Sequence, residues 1–293
     1  MGMLWSCALP AQAAERYRDA VLADHPIAYF RLDERSGAIA HDSSGHHFDG
    51  VIGARVSRGR PGVIPDAASS LGFNGGDRST KDDVVRVRGN AMFERAQQLT
   101  IEAWVVPDTT KIVGNNSGDV TLAAYGNDDA PDKLHCRYAL ELDEHSHVLY
   151  FPLTLEGKKT DRVQVTGPRS LATWLRQPFE PSTRETHMLY AEPGTVANPP
   201  QPRVRYHLVG TYNGETMRFY VNGRLNREMH VRGRVVGYAA RNGFSIGGEY
   251  VDLNPVFRGR IGEVAVYPST LSEARVRAHY RIGIGEAAAD QRV

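Results

Sequence analysis

Glu141-Leu142-Asp143 sets two carboxylates two residues apart in a run, Tyr138 to Leu142, that alternates as a strand does. Residues i and i+2 of a strand leave the same face, so the pair has the disposition from which glycosidic hydrolysis is built. That chemistry needs a nucleophile and an acid/base ~5–5.5 Å apart. The next acid, Glu144, falls on the opposite face, and the preferred assignment for Glu141 and Asp143 is a solvated strand face leading into a turn. Trp174, Phe179 and Tyr190 stand in a stretch without apolar periodicity. Loop aromatics have less reason to serve a core, so the three are candidates for ligand contact, pinning of the stretch to the body being the alternative. His41, His46 and His47 share one turn, and His145 and His147 share a strand face. Without cysteine partners beside them they are assigned as surface histidines. No glycine-rich phosphate loop leads from a strand into a helix, and no serine sits in a nucleophile elbow.

These residues must be positioned by strands. The chain has 293 residues, 41% hydrophobic and 24% charged, with 29 Gly and 16 Pro, enough to bury a large core in one all-β unit with many turns. A formal net charge of +1 and no basic-aromatic surface argue against a nucleic-acid partner. The clearest element is Tyr206 to Gly223, YHLVGTYNGETMRFYVNG. Leu208, Gly210 and Tyr212 alternate with Val209 and Thr211. Asn213-Gly214 supplies positive φ, Met217, Phe219 and Val221 alternate again, and Asn222-Gly223 closes the run, which is a strong hairpin pattern. Further strands are expected at Ile27–Leu32, Leu71–Phe73, Val84–Val87, Leu99–Val106, Thr121–Tyr125, His147–Leu153, Gly243–Gly248 and Gly259–Tyr267. On Leu99–Val106, Ile101, Ala103 and Val105 face the core and Thr100, Glu102 and Trp104 the other way. Glu15–Asp24 is a helix ending before Pro26, and Thr270 with Glu273 gives the capping-box start of a second. Between Leu155 and Arg203 the alternation fails among seven prolines, so residues 155–203 are expected to be a Pro-rich insertion over one face or rim.

The opening YRDAVLADHPIAYFRLDERSG, the strand LTIEAWVVP, the central hairpin and FRGRIGEVAVYPSTLSEARVRAHY together resemble the laminin-G-like, concanavalin-A-like (pentraxin-like) jelly rolls. The resemblance runs from about Tyr17 to Gly283 and shows no second copy. It implies an all-β fold: an antiparallel two-sheet jelly-roll sandwich with a short C-terminal helix and one long Pro-rich insertion. It also implies binding of a carbohydrate or a cell-surface protein, with Trp174, Phe179 and Tyr190 as the ligand contacts. A hydrolase on the same fold is the alternative, but where those enzymes carry the second catalytic Glu this chain has His145. A structural protein-interaction module is the other alternative. The resemblance further implies calcium. In the pentraxin branch an acidic pair in one loop and acids after an Ile-x-Gly strand hold the ion, which points to Asp128, Asp129, Glu249 and Asp252. A structural site would use Asp42 and Glu263, although the family's Asp is Gly262 here and Asp42 serves equally as an Asx-turn residue.

Residues 1–14 have a short apolar patch and Ala11-Gln12-Ala13, the pattern of a truncated signal peptide. With it comes the expectation of a secreted or cell-surface protein. Residues 15–285 form the domain and 286–293 a disordered tail. Cys7 and Cys136 are the two cysteines, and a disulfide between them has little support.

Overall fold

The computed structural model describes residues 16–77, 79–94, 97–109, 119–126, 138–143, 148–156, 165–166, 184–198, 200–235, 243–249 and 255–286. The expected signal peptide, both cysteines and His145 and His147 therefore lie outside the described residues. In chain order come α1 (Tyr17–Ala23), β1 (Ala28–Phe30), β2 (Ile39–Ala40), β3 (Gly50–Ile52), β4 (Ser57–Pro61), β5 (Ser69–Gly76), β6 (Val85–Val87), β7 (Leu99–Pro107), β8 (Val120–Tyr125) and β9 (Tyr138–Leu142). Then follow β10 (Leu149–Glu156), β11 (Val165–Thr166), β12 (Arg184–Tyr190), β13 (Tyr206–Tyr212), β14 (Thr216–Val221), β15 (Arg224–His230), β16 (Arg234–Val235), β17 (Phe244–Ile246), β18 (Val256–Tyr267) and α2 (Glu273–Gly283).

Among the described residues the strands make two sheets. The smaller runs β15-β14-β13-β7-β18-β5-β4 with β1 added to β18, and the larger runs β11-β12-β10-β9-β8-β17-β6-β3-β2 with β16 added to β10. The neighbours β7 and β18, and β8 and β17, are far apart in sequence, the crossovers a jelly roll requires. The expected all-β sandwich is the fold found. The inner faces meet in one core in which Ile101, Ala103, Val105, Leu208, Phe219 and Ile246 are buried. Asn213 Oδ1 accepts from the Glu215 and Thr216 amides while Gly214 takes φ 93°. Asn222 (φ 52°) and Gly223 (φ 72°) then make the second tight turn, into β15.

Two expectations are corrected. Residues 155–203 are not a continuous irregular insertion. β12 lies inside them and pairs antiparallel with β10 from Tyr150↔Tyr190 to Glu156↔Arg184, because Arg184–Tyr190 contains none of the prolines. The second helix begins later than Thr270: Ser272 is its N-cap, accepting from the Arg275 amide, while the Thr270 hydroxyl donates to the Tyr212 carbonyl. The outward face of β7, which alternation alone leaves unassigned, is covered. Trp104 and Glu102 have no exposed surface, and α1 and α2 lie over that face in a second apolar layer with Tyr17, Val21, Tyr220 and Val276.

Candidate functional site

The outer face of the larger sheet carries the polar groups that sequence reasoning had assigned to separate places. On β9, Tyr138, Leu140 and Leu142 point into the core, which turns Ala139, Glu141 and Asp143 outward. Register then builds a row across the sheet: Thr121 opposes Glu141, Glu141 opposes Tyr150, and Tyr150 opposes Tyr190. The Tyr150 hydroxyl donates to Glu141 Oε2 at 2.5 Å, and the Thr121 hydroxyl donates to Oε1 at 3.2 Å. The Tyr150 and Tyr190 rings stack with centroids 4.7 Å apart, and the Tyr190 hydroxyl lies 3.5 Å from Asp143 Oδ2. Beside this row small residues form a low strip, Ser245 opposing Ala124 and Ala124 opposing Ala139.

Glu141, Asp143, Tyr150 and Tyr190 each expose 2% or less. Burial pushes the Glu141 carboxyl above the usual range; hydrogen bonds from Tyr150 and Thr121 oppose the shift, and the Asp143 charge adds to it. Burial likewise raises both tyrosines, and Asp119 adds to each through its charge. Asp119 precedes β8 and is half-buried. Since Val120 pairs with Leu142, Asp119 and Asp143 stand at the same end of the sheet. Ser245 Oγ, on the low strip, is buried and has no hydrogen-bond partner among the described residues.

The expected solvated face at Glu141 and Asp143 is therefore a buried polar one, and Tyr190 is a strand residue on it and not a loop aromatic. Trp174 and Phe179 lie outside the described residues, as do Asp128, Asp129 and Asp252. Of the first set of acids expected to hold calcium, Glu249 alone lies among the described residues. The Gly247 amide bonds to the Leu122 carbonyl, so Glu249 follows β17 at the end of the sheet where Asp119 and Asp143 stand. The second proposed pair is divided. Asp42 accepts from the Tyr29, Ser44 and Phe48 amides and from the Ser44 hydroxyl, an Asx turn that occupies both oxygens. Glu263 accepts from the Tyr29 hydroxyl and pairs with Arg31 at 3.5 Å, so the two acids sit at opposite ends of Tyr29. Among the described residues no group of three or more acids or histidines can hold a metal ion, and Asp42 and Glu263 do not fit one.

A second polar cluster lies on the other side, beneath the helices. Glu102 accepts from the hydroxyls of Tyr17 and Tyr267 at 2.7 and 2.6 Å, from His207 Nε2 at 2.6 Å and from His279 Nδ1 at 3.1 Å. His279 Nε2 continues to Asp24 at 3.0 Å, which also binds Arg275. Burial alone would raise Glu102; the His279 charge and the histidine hydrogen bonds outweigh it and hold the carboxyl well below its usual range. Every oxygen of Glu102 is spent on this network, which fastens α1 and α2 to the sheet and offers nothing to a ligand.

Residues 185–277, from β12 into α2, match the model of the concanavalin A-like lectin/glucanases superfamily. The chain carries a concanavalin A-like jelly roll. The same fold recurs in solved structures of low identity. The binding domain of Paraclostridial Mosquitocidal Protein 1 is 13% identical with a TM-score of 0.54, over 89% of this chain and 52% of that one. The botulinum neurotoxin serotype D ligand binding domain, solved with N-acetylneuraminic acid, is 13% identical with a TM-score of 0.52, over 90% and 52%. This chain thus spans about half the length of those domains. Domain 4 of AbnA, an extracellular arabinanase from Geobacillus stearothermophilus solved with arabinotriose, is 15% identical with a TM-score of 0.50, over 87% and 98%. No curated protein matches the sequence. Among the described residues no helix of this concanavalin A-like chain is long and apolar enough to cross a membrane.

Thr121, Tyr150, Asp119 and Ser245 were missed at the level of sequence. For Tyr150 a signal existed: Leu149, Phe151, Leu153 and Leu155 alternate, which puts the tyrosine between them on the face of Glu141.

Proposed function

We propose that this concanavalin A-like jelly roll is a non-catalytic glycan-binding module that works outside the cell and takes its ligand at the acidic end of the larger sheet's outer face. The observation that carries this reading is the row Thr121–Glu141–Tyr150–Tyr190 with Asp143 at its end. An outer sheet face is ordinarily either solvated or packed by apolar groups; here hydroxyls and carboxylates are fixed in register. Carboxylates accept from two sugar hydroxyls at once, and half-buried Asp119 marks the side from which a ligand reaches them. Tyr150 and Tyr190, being buried, hold the acids in place and do not stack on the sugar. Binding without hydrolysis accords with Glu141, whose two oxygens are both engaged by hydroxyl donors of the chain itself, and with histidine in place of glutamate at position 145 of the sequence. The glycan-bound relatives of the same fold agree with the reading.

The test is a glycan array on the intact chain, followed by calorimetry of the best ligand with Asp143→Asn and Asp119→Asn. Both substitutions keep the side-chain shape. The expected result is an unchanged melting temperature with binding weakened about tenfold or more, the loss of one charge-assisted hydrogen bond. An array without hits, or variants that bind as the parent does, overturns the proposal. Release of reducing ends from the bound glycan would replace it with the hydrolase alternative.

A further inference from the structure

On the opposite side of the molecule a groove of 550 Å³ runs between the tight turn at Asn222-Gly223 and helix α2, within the size range of small-ligand sites. Leu225, 39% exposed, and Tyr280 give it apolar surface. Around them stand Arg224, Arg277 and Arg281 with Glu273 and Glu286. Arg277 pairs with Glu273 at 2.6 Å and Arg281 with Glu286 at 3.3 Å. Arg224 has no carboxylate partner among the described residues, so the groove holds one cation more than its acids neutralise.

The walls are rigid. A side chain at Gly223 would come within 2.6 Å of Tyr280 Cβ, and one at Gly283 within 2.2 Å of the Trp104 ring, so turn, helix and sheet already touch. Trp104 lies between His207 and Tyr280, with ring centroids 4.6 and 5.9 Å away. A ligand entering such a groove finds its surface preformed and loses little to ordering of the protein. The two ion pairs are exposed, and exposed pairs are weak, so a ligand anion competes with Glu273 and Glu286 at small cost. A guanidinium without a partner presents the planar fork that matches a carboxylate.

From the unpartnered Arg224 beside an apolar strip in a preformed groove, we infer that this groove is a second binding site, for an acidic sugar, with the carboxylate on Arg224 and the apolar face of the ring against Leu225 and Tyr280. This site is separate from the sheet face proposed above and does not depend on it.

The probes are N-acetylneuraminic acid and glucuronic acid, with methyl glucoside as the uncharged control and sodium acetate as the bare anion, followed by calorimetry and by amide chemical shifts of residues 222–225. Both acidic sugars are expected to saturate and to shift those amides. Their affinity should be about tenfold or more above that of methyl glucoside, and should fall as salt is raised. Arg224→Ala should abolish the preference, Arg224→Lys should retain part of it, and Glu141→Gln should leave it intact. Arg224 is exposed, so neither variant threatens the fold. Equal binding of methyl glucoside, equal binding of acetate (an adventitious ion only), or an unaltered Arg224→Ala variant overturns the inference. Tighter binding of a Glu-rich peptide than of either sugar would overturn it in favour of a protein partner.

Discussion

Replacing His279 with Gln removes the one cation that, among the described residues, touches the buried Glu102. Burial would lower the His279 imidazole, but the Glu102 charge and the hydrogen bond to Asp24 prevail and raise it from 6.5 to about 9. A proton held up to about 9 in the folded chain and only to 6.5 in the unfolded one is worth about 3 kcal/mol, at about 1.36 kcal/mol per pH unit. Because the folded value is raised, the contribution is complete below pH 6.5 and disappears as pH climbs through about 9. His207 acts in the other direction. Burial holds it below its ordinary value, so it withdraws stability as pH falls below 6.5. The measurement is urea unfolding of parent and His279→Gln from pH 6 to 10. The stability difference between them should shrink by about 3 kcal/mol across that range, half of it lost by about pH 7.8, midway between the unfolded and folded values. A difference that stays constant with pH would show that His279 is neutral in the fold, and the ion-pair account of the helix clamp would fail.

Gly210→Ala should lower stability by about 1–3 kcal/mol in a denaturant melt, because the added Cβ would stand 2.4 Å from the Phe151 ring of the opposite sheet. Burial raises the Glu263 carboxyl to about 7 against the hydrogen bond from Tyr29 and the charge of Arg31. The parent should therefore lose about 3 kcal/mol as pH rises from 4.5 through 7, and Glu263→Gln should not, a contrast read by unfolding at pH 5 and pH 8. Deleting residues 157–183 with a short Gly/Ser bridge leaves β10 and β12 in place and should give a cooperative thermal melt. Extending the deletion to 201 removes β12 and should abolish it.

Much of the sandwich can be read from local pattern. Alternation along Leu99–Val106 and Tyr206–Val221 identifies the strands and their core face, and Asn213-Gly214 and Asn222-Gly223 identify the turns, because side-chain period and positive φ are properties of a few adjacent residues. The proline-rich stretch shows the limit of that reasoning: seven prolines across residues 155–203 hid a seven-residue strand, since pairing with β10 on one side and β11 on the other stabilises a short run that carries no strong pattern alone. The candidate site was half legible. Glu141 and Asp143 stand out in the sequence as a carboxylate pair on one strand face, and Tyr190 as an aromatic of the proline-rich stretch. Only pairing of β9 with β10 and of β10 with β12 puts them in one row, and register between distant segments is set by the whole core. The same holds for Glu102. Its sequence neighbours say that it points away from Ile101 and Ala103, and nothing local says what lies there. Its partners Tyr17, His207, Tyr267 and His279 are 85 to 177 residues away. Alternation divides a strand into two faces; whether the second face meets water, a helix or another chain depends on what the tertiary structure lays across it.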